Sequence, residues 1–161
     1  MLMPLGQSSN LQHLHVSTFL HVLEDIEIDI SHLVNLRTLC LYGVDDDEWE
    51  AEDEIPRFQK FLSQIPGNMP HLEDLTIVFY VDEDINIADL GVLDEYLAGD
   101  NFSRVKRMTI ALYPSPLTQT WSGLRNICKK IRQQFPLLDK RGILAVNETK
   151  LNYPNYTIGI D

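Results

Sequence analysis

Two groups of residues in this chain have types and spacings that could bind a metal ion. His13 and His15 lie two residues apart, so in a strand both side chains point to the same face. If a strand holding Cys40 lies beside them, two imidazoles and a thiol share one surface, and these are zinc ligands. No fourth ligand is visible in the sequence. We therefore interpret this surface as a mixed polar one, with a metal-binding His/Cys face as the alternative.

The second group has part of the spacing of a calcium loop. Asp82, Asp84 and Asn86 occupy its first, third and fifth positions, but Ile87 replaces the required glycine and Leu93 replaces the glutamate at the twelfth. An EF-hand is therefore excluded. The sequence also contains no phosphate loop, dinucleotide fingerprint or nucleophile elbow. We expect a protein without catalytic residues, resident metal or cofactor.

Carboxylates dominate the charge of the chain. Eight of the ten residues 45–54 are Asp or Glu, and 13 Lys and Arg against 24 Asp and Glu give a formal net charge of -11. Such a chain repels phosphate backbones, which excludes nucleic acid as a general partner. No apolar run is long enough to span a membrane, and the first residues lack a basic signal-peptide region. We expect a cytoplasmic or nuclear protein with no membrane partner.

A repeated pattern of apolar residues predicts the elements that position these side chains. Leu72, Leu75 and Ile77 are spaced as L-x-x-L-x-L, and the same spacing starts at residues 11, 36 and 105. The final alternation is typical of a short strand, and the preceding step of three is typical of a turn. The predicted strands are Leu11–Ser17, Arg37–Tyr42, Glu73–Phe79, Lys106–Leu112 and a fifth at Gly142–Val146.

Helical spacing of apolar residues follows three of the strands. The predicted helices are Ile55–Ile65, Ala88–Ala98 and Gln119–Phe135, ended by Pro66, Gly99 and Pro136. The shorter unit after the first strand, Phe19–Ile30, has no room for a long helix and is predicted to be extended or irregular. After the fourth strand, residues 113–116 read as a rigid turn.

This pattern resembles a leucine-rich repeat array. The phrases His71–Ile77, Val81–Asp84 and Lys140–Leu144 resemble the repeat portion of fungal F-box/leucine-rich-repeat proteins, over most of residues 10–147. The repeats are 25, 36 and 33 residues apart, and the usual asparagine after the strand is missing, so the chain resembles an irregular subfamily. No segment resembles an F-box itself.

The resemblance implies an α/β fold, a leucine-rich-repeat-like solenoid with a parallel sheet on its concave side and helices on its convex side. Leu39, Leu75 and Met108 should then occupy equivalent places on adjacent strands. The predicted organisation is a lead-in over 1–10, four to five repeats over 11–147, and a tail or edge cover over 148–161. An uncapped first repeat would leave the edge of the first strand available for association.

The implied function is a non-catalytic protein–protein interaction module, similar to the substrate-recognition part of an F-box-type ubiquitin-ligase subunit. A ligase adaptor would be a partner only if an F-box lies upstream. A secreted or metal-binding repeat protein is the alternative.

Outward strand positions and acidic segments form the predicted binding surface, and a basic segment of another protein is the expected partner. Asp74 and Arg107 are expected to form a cross-strand ion pair, and Tyr42 is the expected aromatic anchor. The strand positions are His13, His15, Thr38, Cys40, Tyr42, Asp74, Thr76, Arg107 and Thr109, with Ser17, Val78 and Ala111 beside them. The rim positions are Asp45, Asp46, Asp47, Asp82 and Asp84.

Overall fold

A computed structural model of the protein describes residues 10–19, 33–44, 59, 62–63, 65, 69–81, 90–114 and 124–148. Its five strands form one parallel sheet in chain order. The strands are β1 His13–Phe19, β2 Thr38–Val44, β3 Asp74–Val81, β4 Arg107–Pro114 and β5 Leu144–Glu148. The continuous helices within the described residues are α1 Gly91–Ala98, α2 Leu124–Gln134 and α3 Pro136–Lys140, with a 3-10 turn at Asp100–Phe102. The predicted mixed α/β class with a parallel sheet is confirmed.

The register of the sheet follows the apolar repeat. Leu14, Leu39, Leu75, Met108 and Leu144 are successive partners across the five strands, so the predicted alignment is confirmed. A second row aligns Val16, Leu41, Ile77, Ile110 and Val146 in the same way. Since side chains alternate along a strand, both rows lie on one face of the sheet.

The chain enters β2, β3 and β4 through the same backbone arrangement. A turn comes first, as in the bonds from Leu36 N to Leu33 O at 3.0 Å and from Val105 N to Phe102 O at 3.1 Å. One carbonyl of the preceding repeat then accepts two consecutive N–H groups. Gln12 O accepts from Arg37 and Thr38, Arg37 O from Glu73 and Asp74, and Glu73 O from Lys106 and Arg107, at N···O distances of 2.8–3.1 Å. The strands are therefore aligned by repeated local bonds at their entries.

The helices pack on the face of the sheet that carries the apolar rows. Leu93 and Leu97 of α1, Ile131 of α2 and Leu138 of α3 are all fully buried in one cluster with the strand residues. Burying a leucine or isoleucine side chain contributes about 1.5–3 kcal/mol, so this interface is the main source of stability. None of the described helices is long and apolar enough to span a lipid bilayer.

Two predicted chain breaks take a different form in the structure. Tyr113 and Pro114 continue β4 rather than forming a turn. Pro114 is the last residue of the strand and pairs with Val81. A proline at the end of a strand costs little, because few ladder hydrogen bonds remain there for its missing N–H to break. Pro136 follows the end of α2 as predicted, but it also opens α3. Proline suits the first helical position because that position has no intrahelical acceptor for an N–H.

Some predicted segments lie partly or wholly outside the described residues. In the helix predicted at Ile55–Ile65, residues 59, 62 and 63 are helical, and Leu62 and Ile65 are buried. Residues 20–32, the acidic segments 45–54 and 82–84, and the segment 149–161 are not described. The same holds for the first residues of the two later predicted helices, 88–89 and 119–123.

Candidate functional site

The candidate site is the face of the sheet that points away from the helices, here called the open face. Strand alternation places eight of the predicted strand residues on it, namely His13, His15, Thr38, Cys40, Asp74, Thr76, Arg107 and Thr109. The first row across the sheet is His13, Thr38, Asp74 and Arg107, and the second is His15, Cys40, Thr76 and Thr109.

The open face is accessible at the beginning of the strands. His13, His15 and Arg107 are exposed, and the side chains of Thr76 and Thr109 are half-buried. Thr38 and Asp74 are half-buried as well. Hydroxyl, imidazole, carboxylate and guanidinium groups therefore face the same side of the sheet. These groups donate and accept hydrogen bonds, which suits the recognition of a polar peptide surface.

The middle of the open face is closed, in contrast to the sequence-based prediction. Cys40, Val78 and Ala111 are only 6, 1 and 4% exposed and form a small apolar cluster of their own. Val78 and Ala111 are register partners on the neighbouring strands β3 and β4. Cys40 therefore cannot contribute an accessible thiol to a binding surface.

Two ion pairs lie where β3 and β4 begin. Asp74 Oδ1 is 3.1 Å from Arg107 Nε, so the predicted cross-strand pair is confirmed. One residue earlier, Glu73 Oε1 lies 2.9 Å from Lys106 Nζ. The hydrogen bond from Lys106, together with its charge, lowers the pKa of the Glu73 carboxyl below its ordinary value. Both pairs join the beginnings of β3 and β4.

The side chains of the alternative metal-binding His/Cys face differ in their accessibility. His15 and Cys40 are register partners, as expected, but the imidazole is exposed and the thiol is buried. Among the described residues, no group of three or more His, Cys, Asp or Glu side chains could hold a metal ion.

The acidic rim and the aromatic anchor stay predictions. Tyr42 lies in β2 and pairs with Ser17 and Val78 through its backbone, but its side chain is outside the described part of the chain. The rim residues Asp45, Asp46, Asp47, Asp82 and Asp84 lie outside it as well.

Asp94 is a buried residue that the sequence-based prediction missed. Its side chain is 2% exposed, and its two oxygens accept the N–H groups of Leu137 at 2.8 Å and Leu138 at 3.0 Å. The carboxylate of α1 thus supplies the acceptors that the start of α3 lacks. The available signal was its place in the apolar stripe between Leu90 and Leu97.

Two arginines donate hydrogen bonds to backbone carbonyls near the last two strands, β4 and β5. Arg141 donates to Phe102 O at 3.2 Å and to Ser103 O at 3.3 Å. Arg132 donates to Leu144 O at 3.2 Å and forms an ion pair with Asp139 at 3.2 Å. Arg141 stands where the repeat pattern calls for an apolar residue, and that departure was the signal of its different role.

The described fold and face define a mixed α/β protein with one helix-covered side and one partly accessible side of a parallel sheet. No protein-family model matches this chain, and neither a characterised protein nor a solved structure matches it.

Proposed function

We propose that this chain is a non-catalytic protein-interaction module of the leucine-rich-repeat type, which binds a basic segment of a partner on the open face. The observation that carries this proposal is the polar, accessible part of the open face on a sheet whose other face packs against helices. In most parallel sheets helices cover both faces, so an accessible face is available for a ligand.

The chemistry of the open face favours a peptide over a small substrate. Its threonines, imidazoles and the Asp74–Arg107 pair are spread across four strands rather than gathered in a cavity. Neighbouring strands are about 4.8 Å apart, so the four strands together form a surface across which a short extended peptide can lie. The net charge of -11 favours a basic partner, since opposite charge raises the rate of encounter.

The first experiment places a charge on the open face. Thr76→Arg and Thr109→Arg add bulky positive side chains to half-buried positions, so a captured partner should be lost or weakened at least about tenfold. Lys129→Glu on the exposed side of α2 is the control and should retain binding. If the open-face variants bind the partner as well as the original chain does, the proposal is wrong.

The second experiment separates the rim from the anchor by their kinetics. Neutralising Asp45, Asp46 and Asp47 should slow association and reduce its salt dependence, whereas Tyr42→Ala should mainly speed dissociation. Surface plasmon resonance at two salt concentrations measures both rates. Unchanged rates in both variants would contradict the assigned roles.

The link to ubiquitin ligation is a further part of the same proposal. A chain of this kind would present a bound protein to a ligase, and an adaptor would be needed to join the two. Capture experiments with and without an added purified adaptor test this directly. A partner that binds equally well in both cases, with no adaptor retained, would leave an interaction module that works outside a ligase.

A further inference from the structure

Negative and positive charges are divided between two parts of the chain. Residues 1–100 contain 21 Asp and Glu against 3 Lys and Arg, whereas residues 101–161 contain 3 Asp and Glu against 10 Lys and Arg. The formal charges of the two parts are therefore -18 and +7. A chain divided in this way carries both members of a complementary pair of charged surfaces.

The helix α2 presents the positive charge of the second part as one surface. Arg125, Lys129, Lys130 and Arg132 are all exposed, and the described helix contains no Asp or Glu. An α-helix turns by about 100° per residue, so these four side chains lie within about 160° of its circumference. Ile131, on the opposite side, is fully buried. The four cations are here called the basic face of α2.

Most of the basic face has no negative partner among the described residues of its own copy. Arg132 pairs with Asp139 at 3.2 Å, but no described carboxylate forms an ion pair with Arg125, Lys129 or Lys130. Arg125 and Lys129 lie four residues apart, a spacing at which like charges repel and destabilise a helix. Carboxylates from outside the copy would relieve this repulsion.

The most acidic stretch on the chain belongs to a different part of the sheet. Eight of the ten residues 45–54 are Asp or Glu, and they follow β2 in the sequence. The helix α2 packs instead against β4 and β5. Since β3 and β4 lie between β2 and β5, three strand spacings of about 4.8 Å separate them. The two opposite charges thus belong to different ends of the array.

We propose that the basic face of α2 binds the acidic segment 45–54 of a second copy of this chain. The two contacting surfaces differ, so the contact is head-to-tail and leaves one basic face and one acidic segment unused. Further copies add at these ends, and the length of the assembly rises with concentration. Charges are screened within about 8 Å at physiological salt, so the contacting groups outweigh the net charge of -11 on each copy.

The basic face and the open face are separate surfaces. The helix α2 lies on the covered side of the sheet, whereas the open face consists of strand side chains on the other side. The contact between copies is therefore testable without any knowledge of the partner in the proposed function.

A synthetic peptide with the sequence of residues 45–54 locates the binding site. Added to the ¹⁵N-labelled full chain, it should shift the amide signals of Arg125 and Lys129 and leave those of Thr76 and Thr109 unchanged. A control peptide with Asn and Gln in place of every Asp and Glu should not bind. Raising the salt concentration should weaken the binding of the acidic peptide, because salt screens exposed charges.

Sedimentation velocity over a range of protein concentrations tests the contact between whole copies. The basic-face variant carries Arg125→Glu and Lys129→Glu, and the acidic-segment variant carries Asp45→Lys and Asp46→Lys. Each variant alone should associate at least about tenfold more weakly than the original chain.

A mixture of the two variants should recover association. Each variant retains the surface that the other has lost, so the mixture should form pairs and stop at two copies. The amide signals of Met108 and Ile110 report whether each variant is folded.

A matched control changes the same charge elsewhere. Arg37 and Lys140 are exposed and lie outside α2. A variant with Arg37→Glu and Lys140→Glu has the same net charge as the basic-face variant. It should associate within about twofold of the original chain.

Four results would overturn the proposal. The original chain could remain monomeric at every concentration, or the control variant could lose association as completely as the basic-face variant. The mixed variants could fail to pair. The peptide could also bind α2 while the whole chain does not associate, which would assign the basic face to an acidic segment of another protein.

Discussion

Asp94 is a carboxylate inside an apolar interface, and the short helix that follows Pro136 explains its position. Phe135 precedes α3 and has no side-chain acceptor to cap it. Without Asp94, the part-buried N–H of Leu137 and the buried N–H of Leu138 would lack this acceptor, and an unsatisfied buried group costs about 1–3 kcal/mol. Asp94 accepts both bonds from across the interface, so one side chain joins α1 to α3.

Removing this carboxylate should destabilise the protein. Asp94→Ala leaves both N–H groups without an acceptor, and we expect the free energy of unfolding to fall by about 2 kcal/mol or more. Asp94→Asn keeps one acceptor oxygen and should lose about half as much. Urea unfolding followed by circular dichroism measures the difference.

Glu95→Ala is the matched control for Asp94. Glu95 lies next to it on α1 but is exposed, so its replacement should change stability by no more than about 0.5 kcal/mol. Equal effects of the Asp94 and Glu95 substitutions would show that the buried carboxylate does not support α3.

Glu73 should show a pH dependence that reports its bond to Lys106. Its pKa is lowered in the folded protein, so the ion pair contributes stability above the ordinary carboxylate pKa and loses it as pH falls through the folded pKa. Lys106→Gln should raise the Glu73 pKa toward its ordinary value. A carbon-detected NMR titration of the side chain measures both pKa values, and an unchanged pKa in the variant would contradict the assigned cause.

For individual residues, the sequence predicted contacts between neighbouring repeats better than contacts between helices. The Asp74–Arg107 pair follows from the repeat register alone, because equivalent positions on adjacent strands must meet. The bonds of Asp94 depend on how α1 and α3 approach each other, and no periodic pattern encodes that. The burial of Cys40 depends on neighbours across the middle of the sheet, which the alternation of a single strand does not reveal.

Strands were the elements that the sequence predicted most closely. Apolar alternation located all five, and the shared L-x-x-L-x-L spacing gave the register of the first four. Strand ends were less accurate because backbone pairing continues past the last apolar residue, as in β4. The helix α3 was missed because its five residues are too few to show a helical period, and Pro136 was interpreted only as an end.

The five strands should also differ in stability. β1 lies at an edge and has partly buried apolar residues, whereas β4 is central and its Met108 and Ile110 are fully buried. Local opening costs less free energy where fewer apolar contacts are broken. We expect amide hydrogen exchange at residues 11–17 to be faster than at residues 105–112.

Hydrogen-exchange mass spectrometry on the monomer checks this expectation. The central strand β3 is an internal control, since its Leu75 and Ile77 are buried like their partners in β4. Equal protection of residues 11–17 and 105–112 in a monomer would mean that β1 is covered as fully as the central strands.

The whole molecule combines one covered and one partly accessible side of a parallel sheet. An accessible outer surface of small and mixed residues was predicted, but Cys40, Val78 and Ala111 form a closed apolar cluster within it. The accessible residues therefore gather toward the beginnings of the strands. A partner on this face would contact polar groups there, and these include the half-buried Thr76 and Thr109.

Fold class and partner differ in how much the sequence says about them. The sheet follows from local rules, because each repeat carries its own turn, strand and buried positions. Recognition depends instead on surface residues and on segments 45–54 and 82–84, whose pattern specifies charge but no geometry. The function is consequently a proposal that binding measurements must test.

The double hydrogen bond at three of the strand entries has a consequence for how such a chain can vary. β2, β3 and β4 are each aligned by one carbonyl of the repeat before them, from Gln12, Arg37 and Glu73 in turn. These bonds join residues at the strand entries. Insertions or deletions between strands can therefore accumulate without shifting the sheet, which is how repeats of 25, 36 and 33 residues fit into one regular sheet.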